Sequence, residues 1–201
     1  MITPHPLWLR FKAGDPDAFE QMYEENIDAL LRYGHHFTVQ TEVIEDVIQE
    51  LFVDLWNRKS NLGDTDSPRK YLCASLRHRL YRVLKQNSKV SGEEQIPFDL
   101  TWAQEDQNLE EQRHSQVEKA MNQLSQREKE AIYLRYHQGL TYEEIGEIMG
   151  VQYQSLRNQV HRAIQKLRNI LTVIIMIFLT SLSTSILSGG YNGKYIILSS
   201  L

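Results

Sequence analysis

The sequence predicts an all-α protein: two small helical domains joined by an acidic linker, the second a helix-turn-helix domain, plus an apolar C-terminal tail. Three observations carry this expectation. Apolar residues recur at helical spacing through nearly everything before the tail. No stretch alternates apolar and polar residues as a half-buried strand would, and no phosphate-binding glycine loop or internal repeat occurs. Charge is segregated: residues 90–112 hold no Lys or Arg but contain Glu93, Glu94, Asp99, Glu105, Asp106, Glu110 and Glu111, a composition that suits a connector better than a packed element. The expected boundaries are 8–88 for the first domain, 89–111 for the linker, 112–169 for the second domain and 170–201 for the tail.

Asp15-Pro16-Asp17 opens a helix carrying Phe19, Met22, Tyr23, Ile27, Leu30, Leu31 and Tyr33. Thr41 begins another, in which Val43, Ile44, Val47, Ile48, Leu51, Phe52, Leu55 and Trp56 make an apolar face. Asp46, Gln49, Glu50 and Asp54 project beside it, and no cation occurs from Val39 to Leu55. That acidic surface repels DNA and suits a cationic protein partner. Ser60 to Ser67 reads as a loop by composition. Pro68 suits the first turn of the next helix, which runs to about Gln86. Its core face is Leu72, Leu76, Leu80 and Val83. The other face collects Lys70, Arg77, Arg82 and Lys85, with Tyr71, His78 and Tyr81 among them, and no acid occurs from Ser67 to Gly92. Rings interleaved with cations suit an unpaired nucleic-acid strand, since bases stack on the rings while phosphates meet the charges.

The second domain opens with a capping box, Ser125 and Glu128, and a second box, Thr141 and Glu144, starts the next helix. There Ile145, Ile148 and Met149 repeat at helical spacing, Gly150 stands where a helix end takes a left-handed residue, and Val151 plugs the turn. The following helix buries Leu156, Val160, Ala163, Ile164 and Leu167. Its outer face carries Gln154, Ser155, Arg157, Asn158, His161, Arg162 and Gln165, with no acid from Val151 to Asn169. Asn and Gln pair with adenine edges and Arg with guanine edges in the major groove, so this is a duplex-reading helix-turn-helix. Other chemistries find no support. Cys73 stands alone, which precludes an internal disulfide and fits a reducing cytosol. The seven histidines show no metal-ligand spacing. No catalytic constellation, metal site or cofactor motif is expected, and the N-terminus lacks a signal-peptide run, so the expected location is cytoplasmic.

These features together resemble an alternative sigma factor of the extracytoplasmic-function group, the smallest type, which keeps only the second and fourth conserved regions. The resemblance covers roughly residues 10 to 168. EVIEDVIQELFVDLWNR, at Glu42–Arg58, looks like the segment that docks on the clamp helices of core RNA polymerase. The resemblance implies polymerase contacts by Asp46, Gln49 and Glu50 with the apolar partners Leu51, Phe52 and Trp56. SPRKYLCASLRHRLYRVLKQ resembles the segment that opens and reads the −10 element. It implies −10 roles for Lys70, Tyr71, Arg77, His78, Tyr81, Arg82 and Lys85, and a flipped base held by the loop Ser60 to Ser67. The −35 reader would be Gln154, Ser155, Arg157, Asn158, His161 and Arg162. Four departures stand out: His78 for a common Asn, Gln126 for a common Pro, Gly146 for the usual Ala, and Gln152 for a capping Ser or Thr. The implied partners are core RNA polymerase, promoter DNA and a membrane-bound anti-sigma factor. The alternative is a conventional helix-turn-helix regulator that never touches polymerase.

The tail follows Arg168. Ile170 to Leu187 is an apolar run of 18 residues, at the short edge of a membrane span and rich in Ser and Thr in its second half. Three readings stand open for it: an extension of the recognition helix packed on the chain's own domains, a docking segment for a partner such as the anti-sigma factor, or a membrane anchor.

Overall fold

The structure is a computed structural model that describes residues 3–87, 97–100 and 122–189. Every described element is helical: α1 (Pro6–Lys12), α2 (Pro16–Glu24), α3 (Ile27–His35), α4 (Thr41–Arg58), a 3₁₀ turn (Lys59–Asn61), α5 (Pro68–Asn87), α6 (Gln126–Tyr136), α7 (Tyr142–Met149) and α8 (Tyr153–Gly189).

Local chemistry sets these boundaries. Asp15 caps α2, its carboxylate accepting from the amides of Asp17 and Ala18, with Pro16 in the first turn. The sequence predicts one helix onward from here, but the chain breaks at Glu25-Asn26. Asn26 is buried and its side-chain amide donates to the Met22 carbonyl at 2.8 Å, which draws off a helix acceptor and separates α2 from α3. α1, for which the sequence shows no clear periodicity, forms because Pro6 presets its first turn and Trp8 and Phe11 are wholly buried.

α3, α4 and α5 pack around Leu30, Tyr33, Ile44, Ile48, Leu51, Phe52, Leu72, Leu76 and Leu80. At the α3–α4 crossing a side chain on Gly34 would run into Ile44, so the two backbones approach as only glycine permits. α1 braces the loop before α5: the Trp8 indole donates to the Gly63 carbonyl at 2.9 Å and packs at a tilt on Tyr71, while Lys12 pairs with Asp64 at 2.6 Å.

Both predicted capping boxes are present, at Ser125–Glu128 and Thr141–Glu144, and Gly150 ends α7 in the left-handed conformation with φ 65°. The second half does not stand apart. α5 packs against α7 as well as α3 and α4, and one apolar cluster runs through both halves. Phe98, from the segment read as a polar linker, is 1% exposed. It sits among Tyr33, His36, Phe37 and Tyr133, and its N–H donates to Gln126 Oε1. α8 runs on as helix to Gly189. Among the described residues no helix is long and apolar enough to cross a membrane. Apart from Ile170 and Thr172, the side chains of the apolar tail lie outside those residues, as do most of the expected linker and the first positions of the second domain.

Candidate nucleic-acid interface

Each surface expected from the sequence has a definite place. On α4, Asp46, Gln49 and Glu50 are exposed. Leu51 and Phe52 are 2% and 4% exposed: Leu51 lies in the core and Phe52 seats α4 against Phe19 and Tyr23. Trp56 is half-buried between Phe19 and the Lys59 ammonium, which lies 4.1 Å from its ring. The acidic strip also meets the basic helix, because Arg79 donates to Asp54 and lies 3.8 Å from Glu50. The Arg79 hydrogen bond holds the Asp54 carboxyl below its ordinary range.

The seven basic or aromatic positions on α5 divide into two sets. His78, Arg82 and Lys85 are exposed. Lys70, Tyr71, Arg77 and Tyr81 are engaged. Lys70 bridges Asp66 at 3.2 Å and Glu147 of α7 at 2.9 Å. Tyr71 lies half-buried on Trp8 with ring centres 4.9 Å apart. Arg77 is 5% exposed, with Nε 2.8 Å from Glu130 Oε1 and Nη2 3.3 Å from Oε2. The same guanidinium lies over the Tyr81 ring at 4.2 Å, and Tyr81 also packs edge-on against Phe37.

Glu130 therefore organises a buried polar contact between the halves. The Tyr33 hydroxyl donates to its Oε1 at 2.6 Å. Gln138 lies beside it, accepting from Arg69 Nη2 at 2.7 Å and donating to the Tyr133 hydroxyl at 2.9 Å and to the Ala29 carbonyl at 3.4 Å. Burial works to lower the Arg77 pKa, but the Glu130 carboxylate outweighs it and the guanidinium stays firmly protonated. Burial, with the same carboxylate beside it, pushes the Tyr33 hydroxyl well above its ordinary value. Cys73 is held as a thiol, pushed by burial up to about 12. It is a core residue.

On α8 the structure keeps the expected reader face open. Gln154, Ser155, Arg157, Asn158, His161 and Arg162 are all exposed, while Leu156, Val160 and Ala163 are fully buried beneath them. Lys166, on the same helix, donates to both oxygens of Glu128 at 2.8 and 3.0 Å and ties α8 to α6.

Glu130, Gln138, Arg69, Tyr33 and Phe98 were not among the expected functional residues. Nothing in the sequence marks them, because Arg77 reads there as part of a solvated basic face and its carboxylate partner lies 53 residues away. Among the described residues no cluster of His, Cys, Asp or Glu could hold a metal ion.

Comparison with known proteins places these surfaces in context. Residues 22–90 match the family description "Sigma-70 region 2" and residues 114–167 match "Sigma-70, region 4". The chain is 28% identical over 162 residues to the RNA polymerase sigma factor YlaC of Bacillus subtilis, covering 78% of this chain and 91% of that protein. It is 25% identical over 166 residues to the ECF RNA polymerase sigma factor SigL of Mycobacterium tuberculosis, covering 78% and 90%. In fold it is similar to the sigma factor RpoE of Bartonella quintana, solved with the anti-sigma factor NepR, at TM-score 0.56 and 23% identity over 77% of this chain and 97% of that one. It is also similar to CnrH, solved with the cytosolic domain of CnrY, at TM-score 0.58 and 17% identity over 83% and 96%.

Proposed function

The chain belongs to the sigma-70 family as a sigma factor of the extracytoplasmic-function group, and from that premise we propose how its surfaces divide the work of starting transcription. As an alternative sigma factor it directs RNA polymerase to promoters and initiation. The exposed Asp46, Gln49 and Glu50 on α4 dock on core polymerase, with Trp56 at the edge of that contact. The exposed Gln154, Ser155, Arg157, Asn158, His161 and Arg162 on α8 read the −35 duplex in the major groove, where amide and guanidinium groups match adenine and guanine edges. His78, Arg82, Lys85 and, once uncovered, Lys70, Tyr71, Arg77 and Tyr81 hold the melted −10 strand through phosphate contacts and base stacking. Melting is driven by binding: bases taken out of the stack gain protein contacts that offset a stacking cost of about a few kcal/mol. An anti-sigma partner for this chain belongs to the same proposal, supported by the similar fold of RpoE, which was solved with the anti-sigma factor NepR.

The observation that carries this reading is the order of two family regions along one chain, 22–90 then 114–167. Each presents an exposed polar face of the chemistry its partner needs, and a conventional regulator has no use for the first. The test is in vitro transcription with core RNA polymerase on genomic fragments, with and without the protein. New start sites preceded by a shared two-part motif are expected. DNA binding with no new starts would favour the conventional regulator.

A further inference from the structure

Beside the apolar cluster that they share, the halves meet through polar groups on the very face of α5 that the proposed −10 contact requires. Two acids of the second half reach it. Glu130 takes the Arg77 guanidinium through two nitrogens, at 2.8 and 3.3 Å, which is the forked geometry in which arginine also binds phosphate. Glu147 takes Lys70 at 2.9 Å. The Arg77–Tyr81 stack beside them, at 4.2 Å, is the kind of cation-and-ring platform on which an unpaired base rests.

The energetics of its polar part suit replacement rather than permanence. A buried ion pair gives back in desolvation much of what attraction supplies, so it contributes little net hold. Arg69 Nε is buried in the same contact without a hydrogen-bond partner, an imperfection that opening relieves. The remaining partners, Gln138 with Arg69 and Tyr33 with Glu130, are groups that water satisfies once the halves separate.

Resting on the sigma-factor reading, we propose that the second half is a built-in competitor for the single strand: its α6–α7 surface, with Glu130 and Glu147 in the place of phosphates, covers the Lys70 and Arg77 part of the strand-binding face of α5 in the free protein, while His78, Arg82 and Lys85 stay exposed. DNA must displace it. The strand affinity of the free chain is then the intrinsic affinity reduced by the fraction of molecules that are open. The α4 acids Asp46, Gln49 and Glu50 stay exposed in the covered state, so docking on polymerase does not wait for opening.

The test compares the full chain with Glu130→Gln, which keeps the shape and removes the charge, and with Glu147→Lys, a surface change that turns the Lys70 bridge into repulsion. Neither residue belongs to the proposed polymerase or DNA contacts. Strand affinity is read by fluorescence anisotropy with a labelled mixed-sequence oligonucleotide of about a dozen nucleotides, and opening by small-angle X-ray scattering. Both variants are expected to expand and to bind the strand about tenfold or more tightly than the native chain, which corresponds to a native open fraction of about one tenth or less. Affinity for core polymerase should not change. A Glu147→Lys chain that keeps native helicity and binds the strand no better than the native chain overturns the proposal, and it decides alone if Glu130→Gln does not fold. Transcription from core polymerase is measured with the same three chains. Its loss in all of them overturns the initiation reading, whereas normal transcription with equal strand affinities overturns only the competitor.

Discussion

A Cβ on Gly146 would lie 2.7 Å from the Val151 carbonyl oxygen, a backbone atom with no room to move because the Val151 N–H donates to the Gly146 carbonyl at 2.9 Å. The alanine that the family resemblance leads one to expect at this position is therefore excluded by the tight turn into α8. Gly146→Ala should destabilise the second half by about 1–3 kcal/mol, the range for overpacking a closed site, as read from the midpoint of urea denaturation. An unchanged midpoint would mean the turn has slack that the backbone geometry denies. Arg157 shows the opposite situation. It is exposed on α8 and tied to nothing its function would have to break. Arg157→Ala should cost about 1–3 kcal/mol at one base position if its contact is bidentate to guanine, measured by binding to a library of −35 sequences. Uniform weakening across the library would make it a phosphate contact instead. Both residues were legible in sequence as positions of interest. Only Arg157 was legible as to role, because exposure on an amphipathic helix follows from periodicity and a 2.7 Å approach to a distant carbonyl does not.

The helices of the second half are held by their ends as well as their faces. In both capping boxes the cap hydroxyl accepts from the third amide at 3.2 Å and the glutamate reaches back at 2.8 Å. They differ in what else the glutamate does. Glu144 is used up in its box, while Glu128 also binds Lys166 of α8 at 2.8 Å. Ser125→Ala and Thr141→Ala should each cost about 0.5–2 kcal/mol, with Ser125→Ala the larger, because loosening α6 also releases its tie to α8. Equal losses in chemical denaturation would show that the Glu128–Lys166 tie adds nothing. The element that the sequence describes least completely is α5. Its leucine stripe gave the face packed on α3 and α4, but the helix is buried twice, and its second contact is with α6 and α7. The Arg77 edge therefore reads as solvated in sequence and is enclosed in the fold.

At the scale of the molecule, the two halves close around His36. Its ring lies 4.1 Å from that of Tyr133 and 5.1 Å from that of Phe98, and His35, His137 and the Asp99 backbone complete its surroundings. Burial, with His35 and His137 adding to it, holds its pKa below the ordinary 6.5 against the opposing pull of Asp99. The sign follows directly. Above about 6.5 the ring is neutral whether the protein is folded or not, and the packing is fully available. As pH falls from there towards the lower folded value, only the unfolded or opened chain takes up the proton, and stability is lost. The depressed carboxyls Asp15, Asp54, Asp66 and Glu128 act only below their ordinary 3.8 to 4.5, so the windows do not overlap. The melting temperature should be lower at about pH 5.5 than at about pH 7.5, and His36→Gln should reduce that difference; a drop of the same size in the variant would remove His36 as its source. The sequence by itself determined that this protein is helical, where most of its helices begin and end, that a helix-turn-helix follows a basic helix and an acidic one, and hence its family. Those features repeat or cap within one or two turns, so they are written locally. Only the tertiary structure decided that the second half lies on α5, that Phe98 anchors the joint and that Glu130 holds Arg77. That pair is 53 residues apart in the chain, and a single polar match over such a distance leaves no period for a sequence to show.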